Sequence, residues 1–175
     1  MSANPVFDFL KLQFTQRVID ENFSKIESCL QLLDEEDIQF RPNVHCNSIA
    51  NQLEHLNGNV RQYILHTWSG SEFRDRNSEF AYPINKSKAE LLLNLKKTIL
   101  EANRMIQNLD ENDWNKLFEI QIYHLNAIEI IVHVIEHFSY HTGQIIFLTK
   151  MITDKDLKFY DDQKLDFTEK KELAR

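Results

Sequence analysis

The chain has 175 residues, which on the usual scale of roughly 100 to 200 residues per domain predicts one domain large enough to bury a core. Three Gly and three Pro, against roughly 20 at average usage, supply too little turn chemistry for a sandwich or barrel. Gly58, Gly70 and Gly143 cannot be arranged into a dinucleotide-binding or phosphate-loop motif. The formal charge of −7, with no long basic block, argues against a nucleic-acid partner.

The first predicted helix runs from about Val6 to Leu33, with Val6, Leu10, Phe14, Phe23, Ile26, Leu30 and Leu33 near three/four spacing, and stops in the acidic DEEDIQFRPN segment. The second opens at Asn47 or Ser48, either a good N-cap, and carries Ile49, Leu53, Leu56, Val60, Tyr63 and Thr67 on one face. Residues 69–85 form a long connection whose aromatic content predicts that it lies against the helices. A third helix fits Lys86 to about Leu109; FEIQIY then alternates like a short strand. The fourth helix spans about Ala127 to Met151. Residues 1–153 are therefore expected to form an all-α domain of four long helices, and 154–175 a charged peripheral tail with Leu157, Phe159, Tyr160, Leu165 and Phe167 as packing points.

The N-terminus, MSANPVFDFLKLQF, lacks a positive region ahead of an apolar stretch, and no window of about eighteen apolar residues occurs, so the expectation is a cytoplasmic chain with no membrane span. Cys29 and Cys46 lack C-x-x-C spacing and read as free thiols.

Seven histidines, at 45, 55, 66, 124, 133, 137 and 141, are the informative feature. In the fourth helix Ala127, Ile130, Val134, His137, His141, Gln144 and Leu148 form a three/four stripe expected to face the interior. Imidazoles there cost on the order of 1 to 3 kcal/mol each unless bound, and a transition metal is an economical partner. His137 and His141, at i and i+4, can present two nitrogens to one ion. His133 lies about 12 Å from His141 along the axis, so one ion cannot take all three. A third ligand must come from elsewhere: His55 and His66 on the second helix, His45 and His124 in connections. His55 shares a polar shoulder with Ser48, Gln52 and Asn59. No histidine has Glu three residues before it, which disfavours a di-iron carboxylate centre.

The stretches NSIANQLEHLNGNVRQYI and HVIEHFSYHTGQIIFLTKMI resemble the second and fourth helices of the DinB/YfiT-like superfamily, and SGSEFRDRNSEF is similar to a loop of one of its subgroups. The resemblance reaches about residue 152. It implies a four-helix bundle of up-down-down-up topology with His55, His137 and His141 as ligands of a divalent metal (Zn, Ni or Fe), and His133 as a neighbour. Members include thiol S-transferases and a thiol-dependent isomerase, so it also implies activation of water or a thiol on a small-molecule substrate, such as a low-molecular-weight thiol. Gln144 is a candidate for orienting water or a ligand, and otherwise a buried amide bonded to the next helix. Arg74 and Arg76 are candidates for an anionic substrate, and otherwise a solvated or self-paired loop. The competing expectation is a non-catalytic, metal-binding or structural bundle. The aromatic load, 12 Phe with two Trp and five Tyr, suggests a homodimer.

Overall fold

The computed structural model describes residues 5–70 and 74–160. The protein is all-α, with helix over 69% and strand over 4% of the structure. Six helices are present among the described residues. Helix α1 covers residues 5–30 with a π-helical stretch at Thr15–Phe23, and α2 covers residues 49–69 with a second at Arg61–His66. The others are α3 (Arg76–Glu79), α4 (Lys88–Gln107), α5 (Glu111–Asn115) and α6 (Ala127–Thr153). Strands β1 (Phe118–Ile120) and β2 (Tyr123–Leu125) pair as an antiparallel hairpin, Ile120 opposite Tyr123, which is where FEIQIY had suggested a strand.

The helices start where short polar signals tell them to. Ser48, Ser87 and Asn126 each accept from the backbone N–H three residues on, and Asn51, Glu90 and Glu129 return the bond. Each of these capping boxes satisfies two end groups that the first helical turn leaves without an internal partner. At the far end of α6, Asp154 adopts a left-handed conformation (φ 53°) that closes the helix.

Each long helix packs against two others, α1 and α2 both lying against α4 and against α6. Between α1 and α4, the Lys11 ammonium donates to the Gln107 and Leu109 carbonyls at 2.9 and 2.8 Å, and Lys96 reaches Glu27 at 3.3 Å. Thr98 Oγ1 donates to Asn57 Oδ1 (2.6 Å) across α4 and α2, with Lys86 on Glu54 beside it (2.8 Å). Between α1 and α6, Asn22 donates to Ser139 Oγ (3.1 Å) and Cys29 lies beside Thr149. Inside this ring Phe14, Ile26, Leu53, Leu56, Leu95, Ile99, Phe138 and Ile145 are fully enclosed. At roughly 1.5 to 3 kcal/mol per buried large apolar side chain, that interior is the main stabilising term.

Two apolar stripes differ from the sequence reading. At the start of α1 the buried residue is Phe7, which stacks on Trp114 of α5 (centroids 4.4 Å apart), while Val6 is exposed. In α2 the stripe holds through Tyr63 and then moves to Ile64 and Leu65. The wider π-helical turns put more residues in each turn, which rotates the following face. Beyond α6, Leu157 and Phe159 are half-buried on the core and Lys25 donates to the Tyr160 hydroxyl at 3.3 Å. Leu165 and Phe167 lie outside the described residues. Among the described residues no helix is long and apolar enough to cross a membrane. Cys29 and Cys46 are both free thiols.

Candidate metal centre

The face of α6 that meets α2 is polar for three successive turns. His133, His137 and His141 stand opposite Asn59, His55 and Gln52 in turn. The fully buried line of α6 is Ile130, Val134, Phe138, Thr142 and Ile145, so His137 and Gln144 sit half-buried at its flank rather than on the axis expected from spacing. His141 and His55 are both buried.

Three of the seven histidines converge. The ring centroids of His55 and His137 are 4.8 Å apart, those of His55 and His141 also 4.8 Å, and those of His137 and His141 4.4 Å. One ring nitrogen from each lies within 4.8 Å of the other two, and His55 Nε2 is 3.0 Å from His137 Nε2. Nitrogens about 2.0 to 2.1 Å from a tetrahedral zinc stand a little over 3 Å from one another, so the cluster could hold one metal ion after small side-chain adjustments. His133 stays outside: its ring stacks on Tyr63 (4.1 Å) and its Nε2 is 3.3 Å from Asn59 Nδ2. His45, His66 and His124 are exposed and away from the cluster.

Burial pushes the His137 imidazolium down to about 3, helped by His141, His55 and His133 nearby; burial followed by His55 brings His141 to about 4. Burial also lowers His133. These rings are neutral at physiological pH, the state a metal ligand requires. His137 Nδ1 is buried without a hydrogen-bond partner among the described residues, as is Asn59 Oδ1. Such orphaned groups are rare in a protein interior.

Two supporting partners were not read from the sequence. Gln52 Oε1 contacts His141 Nδ1, and the same Gln52 amide donates to Gln144 Oε1 at 2.5 Å. Gln144 is thus bonded to the neighbouring helix. It faces a cavity of about 580 Å³ that also touches Cys46 and Tyr140 and is not lined by the three clustered histidines. Glu79, at the end of α3, is 3% exposed and its Oε2 lies 2.9 Å from His55 Nδ1. Arg74 grips the same carboxylate through Nε and through Nη2 at 2.6 Å, and donates from Nη1 to Gln62 at 3.0 Å. Burial pushes Glu79 upward, but the bonds from Arg74 and His55 outweigh it and hold the carboxyl below its ordinary range. Periodicity carries no trace of this contact; the one local sign is Gly58, a turn beyond His55 in a helix that otherwise has no glycine.

Above the rings lies a cavity of about 500 Å³ lined by His55, His133, His137, Asn59, Tyr63, Arg74, Arg76 and Glu129, with Gln121, Tyr123 and Leu125 of the hairpin as its outer wall. Arg74 is spent on Glu79; Arg76 is exposed at the rim, its guanidinium 5.9 Å from the Phe80 ring centroid.

Fold and site together define an all-α protein with a three-histidine cluster beside a cavity, a site that could hold a metal. The chain belongs to the DUF1572 family, described as a protein of unknown function, whose profile matches residues 9–161. No curated protein matches it.

Proposed function

We propose that this is a divalent-metal-dependent enzyme of the DinB/YfiT-like superfamily, holding zinc, nickel or iron on His55, His137 and His141 for hydrolysis or thiol transfer on a small molecule. The observation that carries the reading is the meeting of three imidazoles beside a cavity of about 500 Å³, where apolar packing would otherwise be the stable choice. The helix pairings support an up-down-down-up four-helix bundle. Lys11 with Gln107 and Glu27 with Lys96 run α1 against α4, and His55 with His137 and Asn59 with His133 run α2 against α6. Glu54 with Lys86 and Asn57 with Thr98 run α2 along α4, while Asn22 with Ser139 and Cys29 with Thr149 run α1 along α6.

With three uncharged ligands, a bound ion would keep its full Lewis acidity and an open position for water or a thiol. The protein's own groups do the rest. Asn59 Oδ1, without a partner among the described residues, offers an acceptor to a substrate N–H or O–H, Tyr63 and Tyr123 provide flat walls, and Arg76 at the rim suits a carboxylate on the substrate. The same reading takes the chain as a homodimer, supported by the exposed Val132, Tyr140, Phe147 and Met151 along one face of α6. A single species of 20.8 kDa in sedimentation at micromolar concentrations would count against the dimer.

Elemental analysis of protein purified without chelator tests the metal, with about one equivalent per chain expected. A screen of ester and amide hydrolysis and of thiol transfer to electrophiles then tests the chemistry, with chelator abolishing any turnover. Metal well below stoichiometry after reloading would overturn the assignment.

A further inference from the structure

We propose that Glu79 is the positioning residue of the histidine cluster: clamped by Arg74 in a notch that Gly58 leaves open in α2, it keeps the His55 proton on Nδ1 and so reserves Nε2 for the ion. The proposal rests on the metal reading above and adds to it a part supplied by the connection between α2 and α4.

Charged residues in a connection normally sit in water, yet the Glu79 and Arg74 side chains are only 4% and 6% exposed. Desolvating such a pair is offset only by near-ideal geometry and further hydrogen bonds. Both are present. The guanidinium meets the carboxylate with two nitrogens, Nε on Oε1 and Nη2 on Oε2, and its Nη1 is taken by Gln62. Oε2 then has one more partner, His55 Nδ1 at 2.9 Å. A carboxylate can only accept, so a protonated Nδ1 makes the bond to Oε2, whereas a bare Nδ1 would set lone pair against lone pair there. Arg74 Nη2 also lies 2.9 Å from Nδ1 and carries two hydrogens, one given to Glu79 at 2.6 Å, so the rival tautomer is the one in which Nδ1 accepts the other, and measuring the His55 tautomer separates the two. A proton on Nδ1 leaves Nε2 with a free lone pair directed at the cluster, the arrangement by which a carboxylate orients a metal-binding imidazole.

Gly58 is the independent observation. Apart from Pro, glycine is the poorest helix former, and Gly58 lies inside a buried stretch of α2. A Cβ there would overlap the Glu79 carboxylate and come within 2.9 Å of Arg74 Nε. The helix gives up a side chain at the one place where the ion pair presses on it.

The test uses the full chain. In metal-free protein with ¹⁵N-labelled histidine, long-range ¹H–¹⁵N correlation reads the His55 tautomer, and the proton is expected on Nδ1. In Glu79→Gln the two Arg74 donors claim the only remaining oxygen, so the amide NH₂ faces His55 and its proton moves to Nε2. Zn²⁺ affinity, measured by competition with a chromophoric chelator, then falls about 10- to 100-fold with helical content unchanged. Gly58→Ala, which displaces the pair sterically, is expected to lower affinity in the same direction. A His55 proton on Nε2 in the metal-free parent overturns the proposal without any variant. So does a Glu79→Gln protein with parental tautomer, whatever its affinity, because the carboxylate then acts only as structure. A parent that takes no metal overturns the functional reading instead, while the tautomer measurement still decides this one.

Discussion

The two seams that close the helix ring, α1 on α4 and α2 on α6, are built from the same three/four spacing and filled with opposite chemistry. Across α1 and α4 the interior is apolar, with Phe14, Val18, Leu95 and Ile99 enclosed, and polar contacts such as Thr15 to Asn103 (2.9 Å) lie at its edge. Across α2 and α6 the edge moves inward, and Gln52, His55, Asn59 and His141 are buried. The first seam gains stability from every contact. The second gives up apolar area for groups that bond each other and still leave His137 Nδ1 and Asn59 Oδ1 without partners among the described residues. Polar groups retained against that cost are what the proposed metal site would explain.

The sharpest way to break this contrast is His137→Ala, which should abolish stoichiometric metal binding in calorimetric titration while far-UV circular dichroism stays near the parent's, because the apolar interior does not include the ion. Parental binding by the variant would return the α2–α6 seam to an ordinary polar interface. Phe14→Ala is the opposite lesion. It should cost about 3 to 5 kcal/mol in denaturant unfolding yet keep one metal per folded chain, since Phe14 belongs to the closed seam.

Acid should separate the seams as well. His137 and His141 resist protonation down to about 3 and about 4, whereas histidines of the unfolded chain take protons near 6.5. Below that value the unfolded state binds more protons than the native one, so the stability these groups permit is fully present above about 6.5 and is lost as pH falls towards 4. The urea midpoint of chelator-treated protein should therefore drop between about pH 7.5 and about pH 5. A midpoint that does not fall over that range would mean that the imidazoles protonate freely in the folded state.

The smallest effect is expected at Gln52→Leu. It leaves His141 Nδ1 without its partner, and metal affinity should weaken about tenfold, roughly 1.4 kcal/mol, at nearly parental stability. An unchanged dissociation constant would show that Gln52 serves Gln144 alone.

Much of this was legible in the order of residues. Ser48 and Asn126 write their helix starts within four residues, and His137 with His141 writes two imidazoles at the spacing of a ligand pair. What failed was the choice between adjacent apolar residues. Val6 fits the stripe as well as Phe7, and only Trp114, more than a hundred residues away, selects the latter. The exact flank of α6 was missed for a similar reason: a stripe of half-buried and buried positions looks continuous until the packing partner defines its centre.

By itself the sequence determined an all-α chain, its helix starts, and a pair of histidines spaced for one ion, because helices and caps are made of contacts between residues three and four apart. Read from its residues, it left four histidines open as the third member, although the family resemblance pointed to His55. The tertiary structure brought His55 to His137 across 82 residues and Glu79 to His55 across 24. Contacts at such separations have no period along the chain; they exist only once α2 has been laid against α6 and the connection after it folded back over Gly58.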